Sequence, residues 1–222
     1  MEMDKLQKYV KEKVERRQVQ DIQSINNEKE ENCTEAILEG YAAIYNSETI
    51  IGGMFKEIIE PGAFDGTDFD DVALYYNHDL NRIPLARSRR NNPNNTLFLQ
   101  PDTLGLKMRA SIDIENNTES KALHSAIRRG DISGMSYMFE VAEEEWKDVD
   151  QEMPTRIIKK VSKVIEVSAV NYPAYEDTTI YARALISLDN EKKALDNARA
   201  NKKIEIRKRR ISIKTKINLG GK

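Results

Sequence analysis

Residues 156–170 read RIIKKVSKVIEVSAV, and this stretch decides the fold class because it has the character of a long β-strand. It is rich in valine and isoleucine, the β-branched residues that strands favour. A second segment of the same kind, residues 132–141, precedes it. Two long strands so close together in the chain indicate that β-structure dominates the middle of the protein.

Shorter β-type runs lie on the N-terminal side of these segments, separated by turn-forming Gly, Pro, Asn and Asp residues. One clear helix interrupts the pattern at residues 119–129, where apolar residues recur at helical spacing and Gly130 follows as a stop signal. Many short strands with one helix predict a mainly β, α+β domain, and we expect a closed or nearly closed antiparallel β-barrel flanked by helices. The short runs are residues 36–45, 55–60, 72–76, 96–100 and 104–112.

The two ends of the 222-residue chain differ from its middle in composition. Fourteen of the 15 aromatic residues and all 6 prolines lie between residues 36 and 182. A core needs large apolar side chains, so the ends contribute little to it. We predict a charged helical extension at 1–35, the principal domain at 36–183, and a helix with a mobile basic tail at 184–222.

Each end carries a local pattern of its own. Leu6, Val10 and Val14 recur every fourth residue, which favours one amphipathic N-terminal helix. Residues 184–200 are compatible with a helix, whereas residues 203–219 alternate isoleucine with lysine or arginine. That alternation has the period of a strand, and its charge opposes pairing with other strands, so we expect a mobile tail that orders on a partner.

The net charge of −2 averages over unlike parts. Residues 183–222 contain 13 Lys or Arg against 4 Asp or Glu and carry +9, whereas residues 36–182 carry −9. An acidic domain with a basic tail predicts that the tail contacts an anionic surface, either an acidic protein or the phosphates of DNA. A solvated tail without a partner is the alternative.

Several classes of protein do not fit the sequence. It has no apolar run long enough to span a membrane, and its first residues lack the apolar core of a signal peptide. The one cysteine, Cys33, has no second cysteine with which to form an internal disulfide, and no Cys/His cluster has zinc-ligand spacing. We expect a soluble intracellular protein with no metal and no cofactor.

The candidate base is His78, one of only 2 histidines. It follows an apolar strand, where a rigid scaffold presents side chains to a cleft, and histidine moves protons near neutral pH. A surface or capping role is the alternative. The other histidine, His124, lies within the expected helix and is interpreted as a packing or surface residue.

The candidate nucleophile is Ser136, which has Gly134 two residues before it and apolar neighbours on both sides. A serine hydroxyl attacks a carbonyl only when a base removes its proton. Ser133 competes for this role but would point to the opposite face of a strand, and a purely structural serine remains an alternative. For the group that orients the imidazole, the candidates are Glu166, inside an apolar stretch, and Asp79, next to His78.

Five short motifs occur in an order that resembles the tailed-phage prohead maturation proteases, which are serine peptidases similar in fold to the herpesvirus assemblin proteases. The resemblance covers roughly residues 36–183. The motifs are EGYAA at 39–43, EPGAF at 60–64, NHD at 77–79, GDISGMSYMF at 130–139 and EVSAVNYPAY at 166–175.

This resemblance implies a serine endopeptidase with Ser136 as nucleophile and His78 as base. In the assemblins the third member is a second histidine, but this chain has no histidine beyond His124. Glu166 is at the fitting position, which makes the expected triad Ser-His-Glu. Backbone N–H groups of the loop at residues 171–178 are the expected oxyanion donors.

The resemblance further implies that the enzyme cleaves the scaffold segment of the major capsid protein inside an immature shell, and then itself. The expected partner is that capsid protein with its scaffold segment, and self-association with a second copy of the chain is left open. The expected location is the host cytoplasm and the interior of the immature capsid, or the bacterial cytoplasm if a prophage encodes the chain.

Two rival classes of function remain. One is a non-enzymatic capsid assembly module on the same fold. The other is a metal-dependent nuclease that uses His78 with Asp65, Asp68, Asp70, Asp71 and Asp79.

Overall fold

The computed structural model describes residues 15–20, 22–24, 34–89, 92–171 and 181–219. Within these ranges the chain is mostly β with two helices, which confirms the α+β class. The strands are β1 (Glu15–Gln20), β2 (Ile22–Ser24), β3 (Glu35–Ile44), β4 (Thr49–Ile51), β5 (Phe55–Ile59), β6 (Ala73–Tyr76), β7 (Ala86–Arg87), β8 (Leu97–Pro101), β9 (Gly105–Asp113), β10 (Gly134–Lys147) and β11 (Thr155–Val170). The helices are α1 (Thr118–Arg129) and α2 (Tyr181–Leu219).

The larger sheet is organised around β11, the 16-residue strand that contains the apolar segment quoted above. One edge of β11 pairs antiparallel with β10 along most of its length. The other edge pairs with two parallel strands in succession, β5 near its start and β6 near its end. Strand β1 extends the sheet beyond β10, β4 extends it beyond β5, and β7 pairs with β6.

The smaller sheet has the order β2-β3-β9-β8. Strands β1 and β2 follow each other in the chain and belong to different sheets, so this N-terminal segment links the two. The expectation of a closed or nearly closed antiparallel barrel is wrong for the described residues, where β11 also pairs in parallel with β5 and β6. Closure requires every strand to have two neighbours, but β4 pairs only with β5 and β8 only with β9.

One apolar core fills the space between the two sheets and one face of α1. Alternate residues of β10 and β11 enter it, because successive side chains of a strand point to opposite faces. The buried side chains from this region include Met135, Tyr137, Phe139, Val167 and Ala169. The residues between them in sequence therefore face the other side of the sheet.

Helix α1 forms where the sequence predicts it. The side chain of Asn117 caps its first turn by accepting hydrogen bonds from the backbone N–H groups of Glu119 and Ser120. Gly130 ends it in the left-handed conformation, at φ 78°, which glycine adopts without steric cost.

The two ends differ from expectation. Leu6, Val10 and Val14 lie outside the described residues, but residues 15–20 and 22–24 of the expected N-terminal helix are strands. The edge of β10 offers unpaired backbone groups, and pairing with it outweighs local helix preference.

The C-terminal segment 203–219 continues α2 as helix rather than forming a mobile tail. Its lysines, arginines and glutamate are good helix formers, and a helix satisfies the backbone hydrogen bonds of the segment locally. Leu195 of α2 packs with Ile51 and Phe55, while residues 203–213 are almost entirely exposed. None of the described helices is sufficiently long and apolar for a membrane span.

Gly105 at the start of β9 is a position where only glycine fits. A Cβ atom there would lie 2.0 Å from the backbone oxygen of Ala43 on β3. We expect Gly105→Ala to lower the free energy of unfolding by about 2–3 kcal/mol, because the clash is with backbone and forces the strands apart. Denaturant unfolding monitored by circular dichroism measures the change.

Gly66→Ala is the matched control for this prediction. Gly66 has φ +75°, but a Cβ atom there would have no neighbour within 4 Å. Only the left-handed backbone then disfavours alanine, and we expect it to lower the free energy of unfolding by about 1 kcal/mol. Equal losses of stability in the two variants would show that the close approach of β9 to β3 does not constrain the fold.

Candidate active site

His78 lies in a tight turn directly after β6, and strand β11 holds this turn in place. Asn77 and His78 both have left-handed backbones, with φ 51° and 58°, which is uncommon outside glycine. The N–H of Asn77 donates to the carbonyl of Ala169 at 2.9 Å, and the N–H of His78 donates to the Ser168 hydroxyl at 3.2 Å. The position of the imidazole is therefore fixed by the end of β11.

The carboxylate that contacts this imidazole is Glu166 of β11. Its Oε1 forms a hydrogen bond with Nδ1 of His78, and its side chain is only 1 % exposed. The structure turns this carboxylate toward His78 rather than toward solvent. A buried carboxylate is costly unless its oxygens are hydrogen-bonded, so this contact satisfies a requirement of the fold.

Ser168 is a fourth member of the cluster that sequence reasoning missed. Its hydroxyl donates to Oε2 of Glu166 at 2.6 Å and accepts from the backbone N–H of His78. Both oxygens of Glu166 thus have partners, one the imidazole and one this hydroxyl. The available signal was the two-residue spacing between Glu166 and Ser168, which puts both side chains on one face of a strand.

Ser136 lies on β10 directly opposite Ser168 of β11. Residues directly opposite in an antiparallel pair have their side chains on the same face, so Ser136 shares the face of Ser168 and Glu166. The Ser136 hydroxyl is fully buried and has no hydrogen-bond partner among the described residues. The structure therefore brings His78 and Glu166 into contact and puts Ser136 one strand away, without a hydrogen bond to the imidazole.

The competing candidates Ser133 and Asp79, and the second histidine, have other surroundings. Ser133 is exposed and precedes the first residue of β10. The Asp79 carboxylate lies 3.4 Å from the Nε of Arg82. His124 on α1 has its Nε2 2.9 Å from the Ser24 hydroxyl, and burial, followed by the charge of Arg128, lowers its pKa.

The acidic loop before β6 does not have the geometry of a metal centre. No group of three or more His, Cys, Asp or Glu side chains in the described part of the chain is arranged to hold a metal ion. Asp71 instead pairs with Arg87 at 2.8 Å, and Asp68 lies 3.4 Å from Lys163. The loop at 171–178, expected to supply oxyanion donors, lies outside the described residues after Asn171.

Residues 23–194 match the family model of the caudovirus prohead serine proteases, and the chain belongs to this family. The family consists of serine proteases of phage capsid maturation, so the resemblance inferred from the five motifs is confirmed. No curated protein and no solved structure matches the chain.

Ser168→Ala tests whether the hydroxyl supports the His78–Glu166 pair. The variant leaves Oε2 of Glu166 and the backbone N–H of His78 without this partner, both in a buried site. We expect the free energy of unfolding to fall by about 2 kcal/mol, measured by denaturant titration at pH 7.

Ser162→Ala is the matched control, since Ser162 lies on the same strand but is exposed. It should change stability by less than about 0.5 kcal/mol. If both alanine variants unfolded at the same denaturant concentration, Ser168 would not be supporting the buried pair.

Proposed function

We propose that this protein is a serine endopeptidase that cleaves the scaffold segment of its phage's major capsid protein, with Ser136 as nucleophile, His78 as base and Glu166 as third member. One observation carries the assignment of residues. The buried carboxylate of Glu166 is hydrogen-bonded to Nδ1 of His78, on the sheet face that also carries the buried hydroxyl of Ser136.

The contact at Nδ1 supports a base role for the other ring nitrogen. A carboxylate at Nδ1 favours the tautomer whose proton is on that nitrogen, which leaves Nε2 able to accept one. As the Ser136 hydroxyl loses its proton, the imidazole becomes a cation. The negative charge of Glu166 stabilises that cation, and Ser168 holds the carboxylate in place.

The proposed reaction has two stages. In the first, Oγ of Ser136 bonds to the carbonyl carbon of the substrate, His78 takes the hydroxyl proton, and that proton then goes to the leaving amine as the peptide bond breaks. In the second, His78 takes a proton from water, which attacks the acyl-enzyme ester. The ester bond breaks, the carboxylic product leaves and Ser136 regains its proton.

Ser136→Ala is the direct test. We expect it to reduce cleavage of the co-expressed capsid protein by about 10³-fold or more, because no other group in the proposed mechanism attacks the carbonyl. Mass spectrometry of both chains, with and without the substitution, measures the loss. Stability should be unchanged or slightly higher, since the hydroxyl is buried without a hydrogen-bond partner among the described residues.

Ser133→Ala is the control for this experiment, since Ser133 is an exposed serine three residues earlier in the chain. It should cleave at the wild-type rate. Wild-type cleavage by Ser136→Ala would refute the nucleophile assignment.

We propose that partners and location follow from this activity. The protease acts on the major capsid protein and on copies of its own chain, inside the host cell and the immature capsid. The C-terminal part of α2, residues 202–216, binds an acidic surface of the capsid precursor. Its sequence supports this role, because residues 202–216 contain eight basic residues and one acidic residue.

Salt-dependent co-sedimentation with the capsid precursor tests the role of α2. Replacing Arg207 and Lys208 by glutamine should weaken binding several-fold at low salt and flatten its salt dependence. Replacing Lys192 and Lys193, two exposed lysines nearer the domain, is the charge-matched control and should have little effect. Equal binding by both variants would exclude this docking role, and binding to DNA alone would support the nucleic-acid alternative.

A non-enzymatic capsid assembly module is the second candidate function. The observation that favours it is the burial of Ser136, which is 0 % exposed and makes no hydrogen bond to His78. In that case wild type and Ser136→Ala would leave the capsid protein equally uncut.

A further inference from the structure

The candidate catalytic groups are closed off from solvent in this structure. Ser136 is 0 % exposed, Glu166 1 % and His78 6 %. A peptide carbonyl must approach to about 3–3.5 Å from an attacking oxygen, so a nucleophile with no accessible surface does not react. If the proposed function holds, the described conformation is a latent form of the enzyme.

The strand that borders the candidate nucleophile is the chain's own N-terminal segment. Strand β1 pairs antiparallel with β10 over six residues, and Gln18 lies directly opposite Ser136. Residues 15–20 lie outside the range that matches the protease family, which begins at residue 23. This strand therefore lies outside the matched range and pairs with the strand that carries Ser136.

One hydrogen bond of β11 shows which backbone groups of β10 face β11 and which face β1. The carbonyl of Ala169 accepts from Asn77, so the backbone polar groups of Ala169 face β6. Those of Ser168, the preceding residue, face β10, because backbone groups alternate sides along a strand. Ser136 lies opposite Ser168 and therefore turns its own N–H and carbonyl toward β11.

The neighbouring residues of β10, Met135 and Tyr137, consequently turn their backbone groups toward β1. Their partners in register are Val19 and Arg17. An extended peptide that docked beside β10 by strand addition would need these same backbone groups of Met135 and Tyr137. Strand β1 and such a peptide exclude each other.

We propose that β1 is an intramolecular cover strand that keeps the protease latent by occupying the edge of β10, and that it must leave this edge before a peptide substrate binds. This proposal rests on the proposed function, because it assumes that Ser136 reacts. It predicts that weakening the β1–β10 ladder exposes Ser136, whereas changes on the outer edge of β1 do not.

A pair of proline variants of the full chain tests the cover strand. Arg17→Pro with Val19→Pro removes two N–H groups that face β10, whereas Arg16→Pro with Gln18→Pro alters residues whose N–H groups face away. Both variants lose one arginine, and an edge strand tolerates proline where its N–H points outward. The readout is the rate at which a fluorophosphonate probe labels Ser136.

We expect the first variant to be labelled about tenfold faster than wild type and the control to stay close to wild type. Equal labelling of both variants and wild type at Ser136 would overturn the cover-strand proposal and leave the proposed function intact. If wild type and both variants fold, but none of them is labelled at Ser136 and none cuts the capsid protein, the result would count against both proposals.

A reversible disulfide between β1 and β10 tests the same proposal if the proline variants fail to fold. Arg16 and Met138 are directly opposite in register. Their backbone groups face away from each other, and in such antiparallel pairs the Cα atoms lie about 4.5 Å apart, within the range that a disulfide spans. In a Cys33→Ser background, Arg16→Cys with Met138→Cys should resist labelling when oxidised and become labelled after reduction. Equal labelling in the two redox states would refute the proposal.

Discussion

The hydrogen-bonded register of β11 is the constraint on which the rest of the structure depends. This strand pairs with β10 on one edge and with β5 and then β6 on the other. Through these ladders it positions the turn that carries His78 and aligns Ser168 opposite Ser136. A shift of one residue would move Glu166 and Ser168 to the opposite face of the sheet and separate them from His78.

Because Glu166 is buried, the register of β11 matters for the candidate site as well as for the fold. A carboxylate removed from water costs several kcal/mol unless other groups replace the lost hydration. Here the imidazole of His78 contacts one oxygen and the hydroxyl of Ser168 contacts the other. The same two contacts that offset the cost of burying Glu166 also fix the orientation of the imidazole. The stability of this sheet face and the geometry of the candidate site therefore depend on the same hydrogen bonds.

The N-terminal segment and α2 show how tertiary structure overrides local pattern. Spacing in residues 1–14 favours helix, yet the segment that follows forms β1 on the edge of β10. Isoleucine alternation in residues 203–219 favours a strand, yet the segment extends α2. In the first case a long-range partner offers backbone hydrogen bonds. In the second, helix forms through local bonds, with the i,i+4 pair of Glu205 and Arg209 adding to it.

The sequence by itself determined the mainly β, α+β class and the helix ending at Gly130, and it singled out His78, Ser136 and Glu166 as candidates, which the resemblance to the prohead proteases favoured over Ser133 and Asp79. The class and the helix follow from local signals, namely β-branched runs and a glycine stop, whereas the roles of the three candidates follow from the order of the five family motifs. Only the tertiary structure decided that Glu166 faces His78, that Ser168 completes the cluster, that two linked sheets replace a closed barrel, and that β1 lies beside Ser136. Each of these depends on which strands pair and in what register, and pairing joins residues as far apart in the chain as Glu15 and Phe139, beyond the reach of any local pattern.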